Sequence, residues 1–116
     1  MKRAKDFQHV VRTGHRVGGA YCLTYAVLHT PQEVEGEARF ARFGIIVSKQ
    51  VGNAVTRNLV RRRVKAIIDR HLSSGFEGAD VVFRMFHSSA EASFNELSGE
   101  VDRALNRVRG LVTERQ

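Results

Sequence analysis

The 116-residue sequence holds one cysteine, one proline and no tryptophan, and its 12 acidic residues are outnumbered by 19 basic ones. A lone Cys22 has no partner for an intramolecular disulfide, which argues against a disulfide-stapled scaffold and fits a reducing compartment. Its position inside an apolar run makes it a small buried hydrophobe. No stretch approaches the roughly 18 consecutive apolar residues of a membrane span. The start, Met1-Lys2-Arg3-Ala4-Lys5-Asp6, is not followed by an apolar signal segment. A cytoplasmic protein without a membrane partner is expected. Catalytic groupings are missing too. His9, His15, His29, His71 and His87 are scattered at spacings that make no metal signature with Cys22. The only acidic cluster, Glu33, Glu35 and Glu37, lies in a stretch punctuated by Pro31 and Gly36. An autonomous nuclease needs clustered carboxylates for metals or histidines placed for proton transfer. No catalytic and no metal-binding residue is therefore assigned. Gly18-Gly19 and Gly52-Asn53 also lack the Lys-Ser or Lys-Thr of a phosphate loop.

What is present is an ordinary globular composition, 42% hydrophobic and 27% charged, with an extraordinary charge. The length fits a single domain, residues 1–116. The formal charge of +7 and a pI near 10.5 are the footprint of a polyanion binder, for nucleic acid or an anionic surface. The excess is localised. Arg39 to Arg70 holds nine basic residues against one acid, a balance of +8, and the rest of the chain, with ten against eleven, contributes −1.

Periodicity places that charge. Phe7, Val10 and Val11 at helical spacing predict a short helix over Asp6 to Gly14, ended by Gly14 in a left-handed conformation. Tyr21 to Leu28, Phe40 to Ser48 and Asp80 to Phe86 are rich in β-branched and aromatic residues and predict strands. Pro31 to Glu37 predicts a solvated connection facing away from a bound polyanion. Val60, Val64, Ile67, Ile68 and Leu72 form one stripe of a long helix capped by Asn53. A last helix follows the capping-box pair Ser93 and Glu96, with Phe94, Leu97, Val101, Leu105 and Val108 inward and Arg107 and Arg109 before a terminating Gly110. The fold class is α+β, helices packed on a mostly antiparallel sheet of about four strands.

On the long helix Arg57, Arg61 and Lys65 stand four apart on one face, with Arg62 and Arg63 widening it, opposite the apolar stripe. Five of its six basic residues are Arg, whose forked donors match phosphate oxygens. A solvated face usually mixes in Glu at four-residue spacing; only Asp69 is available.

From Val51 to Lys65 the sequence resembles the signature of the bacterial ribonuclease P protein component. Val51, Ala54, Arg57-Asn58, Val60, Arg61-Arg62, Val64 and Lys65 occupy its constrained positions. Val47-Ser48-Lys49 before the helix and Lys5-Asp6-Phe7-Gln8 near the start are similar to the family as well. The resemblance implies a protein subunit that binds a catalytic RNA and the 5′ leader of precursor tRNA, assisting endonucleolytic leader removal, with magnesium bound mainly by the RNA and no obligate protein partner. It implies a left-handed strand-helix-strand crossover, an exception to the usual hand. Carried over, RNA contact falls on Arg57, Asn58, Arg61, Arg62 and Lys65, with Lys49 and Asn53 at the helix entrance, and the basic face adds Arg63 to the RNA-binding set. The leader cleft, between the first helix and the sheet, falls on Phe7 and Tyr25, whose rings can stack on unpaired bases. Gln50, where relatives often carry a second basic residue, Val11, where an aromatic is common, and a short basic N-terminus depart from the pattern. A ribosome-associated or general RNA-binding protein explains the charge equally well. A DNA-binding helix ranks third, since no helix-turn-helix or zinc spacing accompanies the arginines.

Overall fold

Alternation along one central strand decides which side chains lie above and below the sheet, and the helices follow from that. The computed structural model describes residues 4–30 and 40–115; the connection expected at 31–37 lies outside the described residues. In chain order these form α1 (Ala4–Thr13), β1 (His15–Gly18), β2 (Cys22–Leu28), β3 (Arg42–Ile46), a 3-10 turn (Lys49–Val51), α2 (Ala54–Ser73), β4 (Ala79–Met85), a second 3-10 turn (His87–Ala90) and α3 (Phe94–Arg115). The described residues make a four-stranded sheet in the order β1-β2-β4-β3. It is mixed: β1 with β2 and β2 with β4 run antiparallel, while β3 and β4 are parallel neighbours joined through α2. This is the small α+β domain expected.

On one face of the sheet, Cys22 and Ala26 of β2 and Ala79, Val81, Phe83 and Met85 of β4 pack against Val60, Val64, Ile67 and Ile68 of α2 and Leu97, Val101, Leu105 and Val108 of α3. Phe83, Ile67, Leu97 and Leu105 are fully buried, and such side chains contribute about 1.5–3 kcal/mol each when removed from water. On the other face Tyr25 and Val82 pack against Val10, with Phe7, Val11, Leu23, Val27 and Ile46 around them. Cys22, shielded and hydrogen-bonded toward Glu100, has its thiol pushed up to about 12, so it packs and does not react.

Several details correct the sequence expectations. The four-residue β1 escaped notice because it carries one apolar residue; its pairing with β2, from His15 opposite Ala26 to Gly18 opposite Leu23, makes it a strand. Its turn into β2 is held by Glu100, which accepts from the backbone N–H of Ala20 at 2.6 Å, Tyr21 at 2.9 Å and Cys22 at 2.8 Å. Gly14 ends α1 without a positive φ. The constraint there is space, since a Cβ would lie 2.5 Å from the Val10 carbonyl oxygen. Leu72 is 42% exposed, because the 3.6-residue period rotates it off the stripe, and Phe94, 38% exposed at the first turn of α3, lies under Arg70. Gly110 does not terminate α3; Val112, packed against the core and beside Gly78, carries the helix onward. Both N-terminal caps are as expected: Asn53 accepts from Thr56 N–H at 2.9 Å, and Ser93 and Glu96 exchange hydrogen bonds at 2.9 and 3.1 Å.

At one end of the α1 face, Asp80 accepts from Arg42 at 2.6 and 3.2 Å and lies 2.9 Å from His29 Nε2. Burial raises the Asp80 carboxyl, but the hydrogen bonds from Arg42 and His29 outweigh it and hold it below its ordinary 3.8. A depressed carboxyl stabilises the fold above its unfolded value, and that contribution is lost as pH falls through the folded value. Asp80→Asn is expected to cost about 2 kcal/mol near neutral pH. Chemical denaturation as a function of pH checks this: the gap to the parent should close only below pH 3.8.

Candidate nucleic-acid interface

The entrance to α2 is rigid. Val51, the last residue of the 3-10 turn, is buried, Gly52 takes the positive φ of 156° that follows, and Asn53 caps the helix. With Val60, Val64, Ile67 and Ile68 fixed against the sheet, the opposite side of α2 has no choice but to face water. There Asn53, Val55, Asn58, Arg61, Arg62 and Lys65 are exposed, with Lys49 just before them. Val55, Asn58, Arg61, Arg62 and Lys65 line a shallow groove of 470 Å³. Arg61 Nη1 donates to Asn58 Oδ1 at 3.3 Å, which engages the amide oxygen of this exposed residue and leaves its NH₂ as the donor end. Among the described residues Lys49, Arg62 and Lys65 make no ion pair.

Not every basic residue of α2 belongs to this row. Arg63 points inward and donates to the Ala92 carbonyl at 2.9 Å, so it braces α2 against the approach to α3 rather than facing a phosphate. Arg57 is half-buried, and its shielded Nε has no hydrogen-bond partner. Arg70 donates to Ser98 Oγ and lies 3.9 Å from Asp102. The exposed face is thus narrower than the sequence spacing implied. It still has no carboxylate among the residues lining its groove. Val55, 78% exposed among these cations, was missed because its apolar character reads as core.

The two rings assigned to a cleft have different surroundings. Phe7 is half-buried and lies over Gly44, where a Cβ would sit 2.0 Å from the ring. Tyr25 is only 3% exposed, packed beneath α1 with the Arg16 guanidinium 5.6 Å from its ring centre. Tyr25 is therefore a packing residue in this structure, corrected from a stacking surface, because α1 covers the sheet at that point. The open volume lies at the carboxyl ends of β3 and β4, a cleft of 820 Å³ lined by Ile46, Lys49, Gln50, Arg84, Phe86 and His87 among others. Lys49 thus borders both the cleft and the entrance to α2, and Gln50 stands in the cleft where a second cation would strengthen it. Arg84 was missed, though it had a signal: it is the one charged residue in the run Val81 to Phe86.

No group of three or more His, Cys, Asp or Glu that could hold a metal ion occurs among the described residues, and no described helix is long and apolar enough to cross a membrane.

The Ribonuclease P family model matches residues 1–109. The ribonuclease P protein component of Acidothermus cellulolyticus is 35% identical over 108 residues, covering 93% of this chain and 86% of that protein. That of a Nocardioides species is 36% identical over 113 residues, covering 97% and 93%. Among solved structures, the RNase P protein of Staphylococcus aureus superposes with a TM-score of 0.79 at 24% identity, covering 93% of each chain. The RNase P protein of Thermotoga maritima gives 0.76 at 21% identity, covering 92% and 94%.

The placement of these side chains separates two effects. In RNA binding measured across a salt series, Arg62→Gln and Lys65→Gln should each lower the slope of log affinity against log salt by about 0.7–0.9. Arg63→Gln should instead lower the melting temperature and leave the slope unchanged, since its guanidinium is engaged by Ala92.

Proposed function

The chain belongs to the ribonuclease P protein family, and from that premise we propose that its exposed α2 face binds the catalytic RNA while the cleft at the carboxyl ends of β3 and β4 takes the 5′ leader of precursor tRNA. The observation that carries the proposal is the unshielded row of Arg61, Arg62 and Lys65 on α2, continued by Lys49. Like charges four residues apart on a helix repel by about 0.2–0.5 kcal/mol per pair, a cost that an anionic partner removes. The guanidiniums and ammoniums hold phosphates and set the register, and the exposed amide of Asn58 adds a directional donor that a phosphate oxygen, a 2′-hydroxyl or a base edge accepts.

The leader is unpaired, so its recognition requires ring faces and a cationic track rather than groove readout. Phe86 supplies a ring inside the cleft and Lys49 and Arg84 supply the track; Phe7, half-buried over Gly44 and outside the cleft lining, offers a second ring. Because Lys49 stands where the cleft meets α2, leader and catalytic RNA are held in a fixed relation by one short turn. Endonucleolytic cleavage is then the work of the assembled ribonucleoprotein in the cytoplasm. Magnesium, bound mainly by the RNA, supplies water activation and stabilises the leaving oxygen. The protein contributes binding, positioning and neutralisation of phosphate charge.

Reconstitution with a ribonuclease P RNA tests the proposal. The protein alone should cleave nothing; added to the RNA, it should lower the magnesium requirement and favour precursor over mature tRNA. Charge reversal at Arg61 and Arg62 should abolish assembly, and Phe7→Ala should reduce the preference for 5′-extended tRNA. Equal affinity for tRNA with and without the extension would instead indicate a general RNA-binding protein.

A further inference from the structure

The arginines outside α2 also form a pattern. On α3, Ser98 and Asp102 face α2 through Arg70 and His71, whereas Arg103 and Arg107 are turned the other way, toward β1. Both are exposed, they stand four residues apart on one helix face, and neither has an ion-pair partner among the described residues. They border a groove of 230 Å³ between α3 and β1, floored by Cys22 and Thr24 and flanked by Val17 and Gly18.

Three features suit this groove to a phosphate backbone. The one acid lining it, Glu100, is held at the turn into β2 by the N–H groups of Ala20, Tyr21 and Cys22, so the two guanidiniums outnumber it and neither is paired to it among the described residues. At Gly18 a Cβ would meet nothing within 4 Å, so a polymer can approach the strand closely. β1 also ends the order β1-β2-β4-β3, so one edge of its backbone has no strand beside it among the described residues. Protein partners fit less well, because an interface centre needs large apolar anchors. The large exposed hydrophobic side chains, Phe40, Val55, Leu72 and Phe94, all lie outside this groove.

We infer that the groove between β1 and α3, gripped by Arg103 and Arg107, is a second site for an RNA phosphodiester backbone, across α3 from the basic face of α2. One chain then bridges two RNA segments, one along α2 and one along β1. This goes beyond the function proposed above and stands on different residues.

The test compares the full chain with R103Q/R107Q and with R62Q/K65Q, each checked for an unchanged melting profile. Affinity for ribonuclease P RNA is measured across a salt series, and bridging is read as energy transfer between two RNA hairpins carrying donor and acceptor dyes. R103Q/R107Q should lower the salt slope by about 1.4–1.8, at 0.7–0.9 per phosphate contact, and abolish energy transfer while single-hairpin binding persists. An unchanged slope with undiminished transfer would overturn the inference and leave the pair as a solvated helix face. Transfer that follows self-association of the chain in sedimentation would overturn it as well. Failure of R62Q/K65Q to weaken RNA binding would count against the α2 assignment alone, because the groove is judged by its own variant.

Discussion

The seating of α2 on the sheet, with Val60, Val64, Ile67 and Ile68 locked against β4 and its neighbours, is the contact from which the other features of the molecule follow. A helix buries one stripe only, so fixing that stripe fixes where every remaining side chain of α2 points. The basic row becomes a surface because the apolar row is a core. β4 plays the matching part in the sheet: it pairs on both sides and is buried on both faces, and Arg84 is its single exposed residue.

Electrostatics then divides the arginines into two kinds. Those with a protein acceptor hold elements together: Arg42 on Asp80 joins β3 to β4, Arg63 on the Ala92 carbonyl joins α2 to the approach to α3, and Arg70 spans from α2 to Ser98. Those without one, Arg62 with Lys49 and Lys65 around α2, and Arg103 and Arg107 on α3, face solvent with their charge uncompensated by the protein. Acids are placed consistently with this division. Glu100 and Asp80 are held by internal donors, where they stabilise a turn and a strand end and, among the described residues, make no ion pair with the outer cations.

Much of the site was legible before any coordinates, because helix caps and helical period are local. Asn53, the capping pair Ser93 and Glu96, and the 60, 64, 67, 68 stripe are set within a few residues of one another, and all are found as expected. β1 was not legible, since a strand with a single apolar residue owes its existence to β2, and neither was Arg84 as a cleft cation, since its exposure depends on which sheet face α1 leaves open. Arg63 was placed on the outer row by spacing, and Arg57 by spacing together with the resemblance. One residue of rotation about the helix axis, 100°, was enough to turn Arg63 inward to a carbonyl supplied from 29 residues away.

Composition, charge localisation and the run from Val51 to Lys65 were sufficient to establish an α+β domain whose cations concentrate on one strand and one helix, because those properties depend on neighbours along the chain. Which cations remain free, which ring is buried and where a cleft opens were settled only by packing. Tyr25 is covered because α1 crosses the sheet above it, and Lys49 borders both surfaces because a 3-10 turn brings the end of β3 to the start of α2. Each depends on elements distant in sequence meeting in space, and the period of a single segment carries no record of what it will pack against.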